Sequence, residues 1–260
     1  MSVFPIYLAG LNQGDASWQP SDLATLFAWY DASDASTITE SGGEVSQLDD
    51  KEAAFDIAQG TGSEQPTTGT RTINSLNVLD FDGNDNLELV STFSLGTDDY
   101  SVISVAQSDL NTVILLLSLS EGTTTGGRGL QLNKNTNIYT SIVWHAGGAE
   151  TLNHSDGGAP TDVFMHSVVV DFGATVKSYL NGDDEKSASL STASLNVNTI
   201  GVGKWYVNTS NRWNGAKAEM IICNSAISVD DRQKAEGYLA HKWGLTAKLP
   251  IGHPYKSVAP

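Results

Sequence analysis

Apolar and polar residues alternate along much of the chain between residues 79 and 223. In such a pattern every second side chain faces a core, which is typical of β-strands and not of helices. Turn residues cut the pattern into short segments, and this arrangement predicts a β-sandwich or a barrel. The clearest alternating segments are residues 87–89, 130–133, 176–180 and 217–222, each with one dry face, whereas residues 168–170 are apolar on both sides and predict a central strand.

Turn-forming residues separate these segments. Asn181-Gly182 is a strong signal for a β-hairpin, because both residues tolerate a positive φ. Further turns are predicted at residues 82–85, 126–127 and 156–158, which consist of Asp, Gly and Asn. The spacing of these turns fits short antiparallel strands.

The segment at about residues 1–75 has a different composition, rich in Asp, Ser, Thr, Gly and Gln and poor in aliphatic residues. It predicts long loops with occasional short strands, and residues 26–30 form its one clear apolar strand. No linker composition separates this segment from the remainder. One domain spanning residues 1–260 is therefore expected, because all-β sandwiches of this length commonly fold as one unit.

A helix is predicted at about residues 228–243. Ser228 lies three residues before Asp231, a near-capping-box start, and acidic residues in the first turn suit the helix dipole. Gly244 supplies a stop signal. The apolar face that should pack on the sandwich consists of Ala235, Tyr238, Leu239 and Trp243.

Charge excludes several classes of partner. Thirty acidic against 14 basic residues give a formal net charge of −16, which repels nucleic-acid phosphates and anionic membranes alike. The longest aliphatic run, residues 113–117, is far too short to cross a bilayer.

The single cysteine, Cys223, excludes an internal disulfide and a cysteine-based zinc site, and it is expected to be a small buried strand residue.

Several segments, in order, resemble the laminin-G-like (concanavalin A-like) jelly-roll family. The most recognisable is the strand and turn at residues 78–85, followed by the Asn181-Gly182 hairpin and closing strands at residues 200–203 and 213–222. The tail from Asp231 to Tyr255 resembles the branch of the family found in bacteriophage virion proteins. The resemblance implies an all-β fold, a two-sheet antiparallel β-sandwich of the jelly-roll kind with one C-terminal α-helix.

Catalytic chemistry is not expected. A glycosidase needs two carboxylates converging on one face, and hydrolytic relatives of the family carry a Glu-x-Asp-x-Glu-like strand. Glu88 and Glu219 each stand alone in their segments, and residues 183–185 (Asp-Asp-Glu) fall in a hairpin open to water. The five histidines show no metal-ligand spacing and no Gly-x-Ser-x-Gly elbow occurs, so they are expected to be structural or exposed.

A calcium site is one interpretation of the predicted turn at residues 82–85. Jelly-roll domains of this type often bind calcium through Asp and Asn oxygens, and Asp82, Asn84 and Asp85 could supply some of them, together with Asp31 or Asp34. The alternative is that Asp and Asn occur there because they favour tight turns. No cofactor is otherwise required.

A glycan site is predicted at an aromatic cluster on a Gly- and Asn-rich segment. Aromatic rings stack on pyranose faces while amides bond to hydroxyl groups. A second, weaker candidate is Trp144 with His145. Either cluster could instead belong to the core or to a subunit contact. The residues of the first cluster are Trp205, Tyr206, Asn208, Asn211 and Trp213.

The function predicted first is a non-enzymatic bacteriophage virion surface protein, either a capsid decoration protein or a tail adhesin. Its expected partners are capsid or tail proteins, a host glycan and further copies of itself in a homo-oligomer. The N-terminus lacks the basic and long apolar regions of a signal peptide, as expected of a protein assembled onto particles in the cytoplasm. The alternatives are an extracellular bacterial carbohydrate-binding or adhesion module, and then a glycan-active hydrolase or lyase. Fold alone does not choose among them.

Overall fold

The predicted fold is confirmed: two antiparallel sheets form a sandwich, and one α-helix follows near the C-terminus. The structure is a computed structural model. It describes residues 17–91, 93–95, 98–110, 114–120, 129–135, 137–155, 161–192, 197–204 and 211–260.

The strands of this described part are, in chain order, β1 (Leu26–Asp31), β2 (Ile38–Ser41), β3 (Glu44–Leu48), β4 (Ile57–Ala58), β5 (Thr72–Ile73), β6 (Leu76–Asn77), β7 (Leu79–Asp82), β8 (Leu87–Leu89), β9 (Tyr100–Ser108), β10 (Ile114–Ser120), β11 (Leu130–Asn135), β12 (Ile138–His145), β13 (Gly148–Ser155), β14 (Val163–Asp171), β15 (Thr175–Leu180), β16 (Asp183–Ser189), β17 (Thr199–Val202) and β18 (Asn214–Cys223). The helix α1 spans Val229–Trp243.

A seven-stranded sheet has the order β1-β18-β9-β14-β15-β16, with β7 also paired to β18. A nine-stranded sheet has the order β13-β12-β11-β10-β17-β8-β4-β3-β2, and β5 and β6 form a separate hairpin. The segment at residues 168–170 lies in β14 between β9 and β15, so the prediction of a central strand is confirmed. Asn181 and Gly182, at φ 54° and 75°, turn β15 into β16 as the hairpin signal predicted. The predicted turns at residues 126–127 and 156–158 lie outside the described residues.

The main core lies between the two sheets, and a second apolar layer lies under the helix. Strand β18 contributes to both layers: Met220 and Ile222 face the main core, whereas Ala218 and Ile221 face the helix. The prediction that this segment has one dry face is therefore wrong. The alternation was misleading because α1 covers the outer face of the sheet, and because a register shift between Lys217 and Glu219 changes the facing. Cys223 is buried in the helix-side layer, as predicted.

Helix α1 begins and ends as its sequence predicted. The Ser228 side chain accepts a hydrogen bond from the Asp231 backbone N–H at 3.1 Å, and Gly244 ends the helix with φ 74°. A buried carboxylate, Glu219, fixes the helix to the sheet by accepting from the indole N–H groups of Trp29 and Trp243, both at 2.7 Å. The described residues contain no helix with the length and hydropathy of a membrane span.

The described part of the predicted loop-rich segment carries five short strands, β1 to β5. The predicted apolar strand is β1, which runs one residue further than predicted, to Asp31. The edge strand β1 is closed by the buried Asp50, whose Oδ1 accepts from the Trp29 backbone N–H at 2.8 Å. The Lys51 backbone N–H then donates to the Trp29 carbonyl oxygen at 2.9 Å. These contacts use up backbone groups that an edge would otherwise offer to another chain.

Candidate functional site

The turn at residues 82–85 joins β7 to β8 and is held by its own side chains. Asp82 Oδ1 accepts from the Asn84 backbone N–H at 2.7 Å, and Asp85 Oδ2 accepts from the Asp82 backbone N–H at 2.9 Å. Gly83, with φ 94°, supplies the left-handed position. These contacts favour the turn interpretation of the Asp and Asn residues, because each carboxylate already has a structural hydrogen bond.

The start of β18 lies directly against this turn. Asn214 pairs with Asp82 in the sheet, and its side-chain amide donates to the Asp82 carbonyl oxygen at 2.7 Å. Arg212 donates to the Asn84 carbonyl oxygen and lies 3.4 Å from the Glu64 carboxylate. The structure therefore brings the predicted metal candidates and the end of the predicted glycan cluster to one end of the sandwich.

Arg212 is a residue that sequence reasoning missed. Its contact with Asn84 spans 128 positions, and no local pattern signals a contact at that separation.

The predicted glycan cluster is divided by the structure. Asn211 is exposed and has φ 62°. Trp213 is fully buried in the main core, with the Lys217 ammonium 4.6 Å from its ring centroid. Its ring cannot stack on a sugar from solvent, so Trp213 as a platform is a wrong prediction, and the alternative of a core residue holds. Trp205, Tyr206 and Asn208 lie outside the described residues.

The second glycan candidate lies elsewhere. Trp144 and His145 end strand β12, which three strands (β11, β10 and β17) separate from β8 and the turn. His145 Nδ1 forms a 2.7 Å hydrogen bond with the hydroxyl group of Ser191. The second candidate therefore lies apart from the turn at residues 82–85 and from Asn211 and Trp213 of the first cluster.

A cleft of about 330 Å³ opens beside the turn, and we refer to it as the acidic cleft. Hydroxyl and amide side chains contribute to its wall through Ser63, Gln65 and Thr67. Its carboxylates come from β3, from β7 and its turn, and from the end of β9, and they are Glu44, Asp80, Asp82, Asp85 and Asp109.

The acidic cleft carries more carboxylates than the arginines beside it can neutralise. Arg71 forms a two-pronged ion pair with Asp109, both N–O distances being 2.7 Å, and a 3.0 Å contact with Asp80. Burial raises the pKa of Asp85 to about 6, with a smaller contribution from the neighbouring charge of Asp82. Asn86 and Arg212 hold the pKa of Glu64, beside the cleft, below its usual range. Near neutral pH the cleft is therefore strongly anionic.

The other predicted calcium ligands are bound by lysines. Asp31 Oδ2 lies 2.7 Å from the Lys242 ammonium, and Asp34 Oδ2 lies 2.5 Å from the Lys51 ammonium. Within the described ranges, no group of three or more His, Cys, Asp or Glu side chains is arranged to hold a metal ion. Asp31 and Asp34 are thus neutralised within the fold, at a place separate from the 82–85 turn.

Three of the carboxylates weighed for catalysis are engaged by other groups. Glu88 forms an ion pair with Lys204, and Glu185 accepts from the Tyr179 hydroxyl group at 2.6 Å. Glu219 is buried under α1 between the two indole rings. These residues do not line the acidic cleft, and each has a structural role.

Two packed antiparallel sheets of this kind define the jelly-roll class of β-sandwich. A family model described as the concanavalin A-like lectin/glucanases superfamily, of the laminin-G type, matches residues 81–231. This match covers more than half of the chain, and the chain belongs to that family. Comparison with curated proteins finds no match.

Solved structures share the fold at low sequence identity. The binding domain of Paraclostridial Mosquitocidal Protein 1 aligns with a TM-score of 0.58 and 12% identity over 84% of this chain and 53% of that one. The botulinum neurotoxin serotype D binding domain aligns with a TM-score of 0.54 and 12% identity over 82% and 51%. The serotype D ligand binding domain in complex with N-acetylneuraminic acid gives 0.50 and 16% over 75% and 50%. The chain spans about half the length of these domains, and the likeness concerns the fold.

Proposed function

We propose that this chain is a non-catalytic glycan-binding module carried on the surface of a bacteriophage particle, as a capsid decoration protein or a tail adhesin. The glycan-binding part rests on one observation, the acidic cleft at the loop end of a lectin-family sandwich. Its volume of about 330 Å³ falls within the range of small-molecule sites. Known binding domains with the same fold support a binding role without chemistry.

The lining of the cleft suits hydroxyl-rich ligands. Sugar hydroxyl groups donate well to carboxylate oxygens, and hydrogen bonds to charged acceptors are stronger than neutral ones. Glu44, Asp82 and Asp109 are the exposed carboxylates of the lining. Because Asp109 is paired with Arg71, Glu44 and Asp82 are the residues that we expect a ligand to reach first. The residues of the glycan cluster outside the described ranges, Trp205, Tyr206 and Asn208, remain predicted contacts.

The charge of the cleft selects the class of glycan. A sialylated sugar would bring a carboxylate toward several others, and like charges in one site repel. The arginines at the cleft, Arg71 and Arg212, are already paired with Asp109 and Glu64. We therefore propose neutral sugars as ligands, in contrast to the N-acetylneuraminic acid bound by the serotype D neighbour.

Titration of matched neutral and sialylated oligosaccharides tests this proposal. At low salt the full chain should bind a neutral sugar more tightly than its sialylated counterpart. The difference between the two affinities should decrease as added salt screens the repulsion. The double variant Glu44→Gln/Asp82→Asn should weaken neutral-sugar binding about tenfold, as loss of about 1–2 kcal/mol would do. Asn at position 82 retains the oxygen that caps the turn.

A matched control is Glu52→Gln/Asp183→Asn, which makes the same charge change at exposed positions away from the cleft. Equal loss of binding in both double variants would assign the effect to net charge and remove the cleft from the proposal. Release of new reducing ends from a bound glycan would instead favour the hydrolase alternative.

The virion part rests on the sequence from Asp231 to Tyr255, which resembles the phage-associated branch of the family. Mass spectrometry of purified particles should find the intact chain in fixed proportion to the capsid or tail proteins. Deleting residues 1–17 keeps Trp18, whose ring packs on Tyr238 with centroids 5.9 Å apart. We expect this deletion to abolish co-sedimentation of the chain with particles. Absence of the intact chain from every particle would favour the free bacterial adhesion module.

Two further features complete the proposal. We propose a closed homo-oligomer on the particle, to be checked by light scattering of the purified chain.

Calcium binding at the turn of residues 82–85 remains a prediction: calcium should raise the melting midpoint of the chain, and Asp82→Asn should reduce the rise. An unchanged midpoint after chelation would remove calcium from the proposal.

A further inference from the structure

Two histidines and two serines form a connected polar network in the middle of the sandwich. His154 and Ser141 come from the nine-stranded sheet, whereas His166 and Ser178 come from the seven-stranded sheet. All four residues are buried, with at most 1% of the surface exposed. The network therefore joins the two sheets through hydrogen bonds.

Ser178 is the centre of the network. Its hydroxyl oxygen lies 2.8 Å from His154 Nε2, 3.0 Å from His166 Nε2 and 2.9 Å from the Ser141 hydroxyl oxygen. The Ser141 hydroxyl oxygen also lies 2.9 Å from His166 Nε2. The two imidazole rings are perpendicular, with centroids 5.5 Å apart.

The contacts are satisfied when both rings are neutral. His154 Nδ1 lies 3.1 Å from Asp184 Oδ2, so the ring proton belongs on Nδ1 and Nε2 is left as an acceptor for the Ser178 hydroxyl. His166 then donates from Nε2 to a serine oxygen. A second proton on His154 would turn Nε2 into a donor and reverse the Ser178 hydroxyl.

The surroundings do not compensate added positive charge. Burial lowers the pKa of His166 to about 3, with a contribution from His154, and burial also lowers the pKa of His154 against the opposing pull of Asp184. Among the described residues, the charged groups at the network are Asp184 and Lys186, which pair with each other on the exposed side of β16. The buried Lys134 lies one strand further along the sheet, with its ammonium 4.8 Å from the centroid of the Tyr139 ring. The neighbours in the sheets are uncharged: Ser104 and Leu180 beside His166, and Tyr139 beside His154.

We propose that the network of Ser141, His154, His166 and Ser178 is an acid-sensitive latch between the two sheets. Near neutral pH the uncharged rings connect the sheets, and in acid the rings take up protons only when the sheets separate around them. An open ring with an ordinary pKa of about 6.5 binds a proton that the closed ring excludes. Acid therefore favours the open state. In the pH range between the closed-state and the open-state pKa of a ring, that ring raises the ratio of open to closed molecules by up to about tenfold for each unit that the pH falls.

The opening should be local. Strands β13 and β16, which carry His154 and Asp184, are the outermost strands of their sheets, and they contact each other across the sandwich. Helix α1 covers the other face of the seven-stranded sheet, where the network has no contact with it. Parting these edges would expose Leu152 and Leu180 while the helix and the acidic cleft keep their structure.

Hydrogen exchange of the full chain, corrected for the intrinsic pH dependence of exchange, tests the latch. Between pH 7.5 and pH 5, peptides from β13 and β16 should show an opening population at least tenfold higher, whereas α1 should not change. The variants His154→Gln and His166→Gln each retain a side-chain amide that can bond to serine but cannot titrate, so each should respond to pH less steeply than the wild type, and the double variant His154→Gln/His166→Gln should show a flat response. His145→Gln, on the neighbouring strand, is the control and should behave as the wild type.

Opening that does not change with pH in the wild type, or that changes equally in the glutamine variants, would overturn the proposal. Because a glutamine variant can lose the fold, NMR titration of labelled histidines in the wild type gives a second readout. Both rings should stay neutral in the closed state below the pH at which an ordinary imidazole protonates, and they should titrate together with the loss of protection in β13 and β16. A ring that titrates near 6.5 with exchange unchanged would also overturn it.

Discussion

The amino group of Lys217 lies inside the sandwich, at the wall of a core cavity of about 30 Å³. It donates to the Leu116 carbonyl oxygen and lies 4.6 Å from the Trp213 ring centroid. Burial lowers the pKa of this lysine well below its usual range. Because neither partner carries a full negative charge, ionised Lys217 opposes folding.

Replacing this amine by a methyl-terminated chain of similar volume should therefore stabilise the protein. We expect Lys217→Met to raise the free energy of unfolding at pH 7 by about 1–3 kcal/mol, measured by urea denaturation. The gain should shrink as the pH rises through about 10.5, because above this pH unfolding no longer adds a proton to the lysine of the wild type. Lys234→Met, at a half-buried helix position where the lysine forms only a surface ion pair with Asp230, should change stability little. A destabilised Lys217→Met would mean that the hydrogen bond to Leu116 outweighs the charge.

Asp85 gives the opposite pH dependence to the histidine latch. Its folded pKa of about 6 lies above the ordinary value of 3.8, so between these values the folded chain holds a proton that the unfolded chain has released. The contribution of Asp85 to stability is complete below about pH 4 and is lost as the pH rises through about 6. Asp85→Asn should thus be more stable than wild type at pH 7.5, by about 1 kcal/mol after allowance for solvent screening, and equal to it at pH 3.5. An equal stability difference between Asp85→Asn and wild type at both pH values would contradict the assignment of the effect to the raised pKa of Asp85. Asp183→Asn, at an exposed position, is the control.

Among the secondary elements, α1 shows how a helix becomes part of a β-sandwich. Trp243 is 1% exposed, and its indole N–H reaches the same buried carboxylate as Trp29. The Lys242 ammonium lies 2.7 Å from both Glu219 and Asp31 and offsets part of their negative charge. The helix is therefore held by packing and by a polar group that it shares with β1 and β18.

Removing the Trp243 side chain should test this coupling. Trp243→Ala should lower the free energy of unfolding by about 3–5 kcal/mol, as truncations of buried tryptophan do, with a lower melting midpoint. Trp243→Phe keeps most of the packing but loses the indole donor, so it should cost less, about 1–3 kcal/mol. Val229→Ala, at a helix position that is 59% exposed, should be nearly neutral. An unchanged midpoint in Trp243→Ala would contradict the role of the helix in the core.

The contrast between predicted and observed elements follows the range of the interactions. The Ser228 cap, the Gly244 stop and the Asn181-Gly182 hairpin were predictable, because each depends on residues within four positions of one another. Trp213 was misassigned because an aromatic residue beside Asn and Gly fits a binding loop and a core strand equally well. The hydrogen bond between Trp29 and Glu219 spans 190 positions, and no local pattern indicates it.

The site shows the same limit. The turn at residues 82–85 was recognisable, yet the acidic cleft beside it combines residues from β3, β7 and β9. Likewise, the histidines were expected to be structural or exposed, whereas His154 and His166 meet only because β13 and β14 belong to facing sheets. Sequence pattern thus predicted the parts of the site that are contiguous in the chain.

At the scale of the whole molecule, polar interactions are distributed over distinct layers. The acidic cleft lies at the loop end, the histidine network lies between the sheets, and the Glu219 cluster lies under the helix. The net charge of −16 adds a long-range repulsion that salt screens. A substitution in one of these three regions should therefore leave the structure of the other two unchanged.

The two ends of the described chain meet. The Trp18 backbone N–H donates to the Pro260 carbonyl oxygen at 3.3 Å, which closes the path of the backbone into a near-ring. A circular permutant that links residue 260 to residue 17 through a short glycine spacer, and begins instead at the exposed Gly42-Gly43 turn between β2 and β3, should fold with a similar melting midpoint. By the same geometry the domain could be spliced as a cassette into a surface loop of a host protein without stretching that loop.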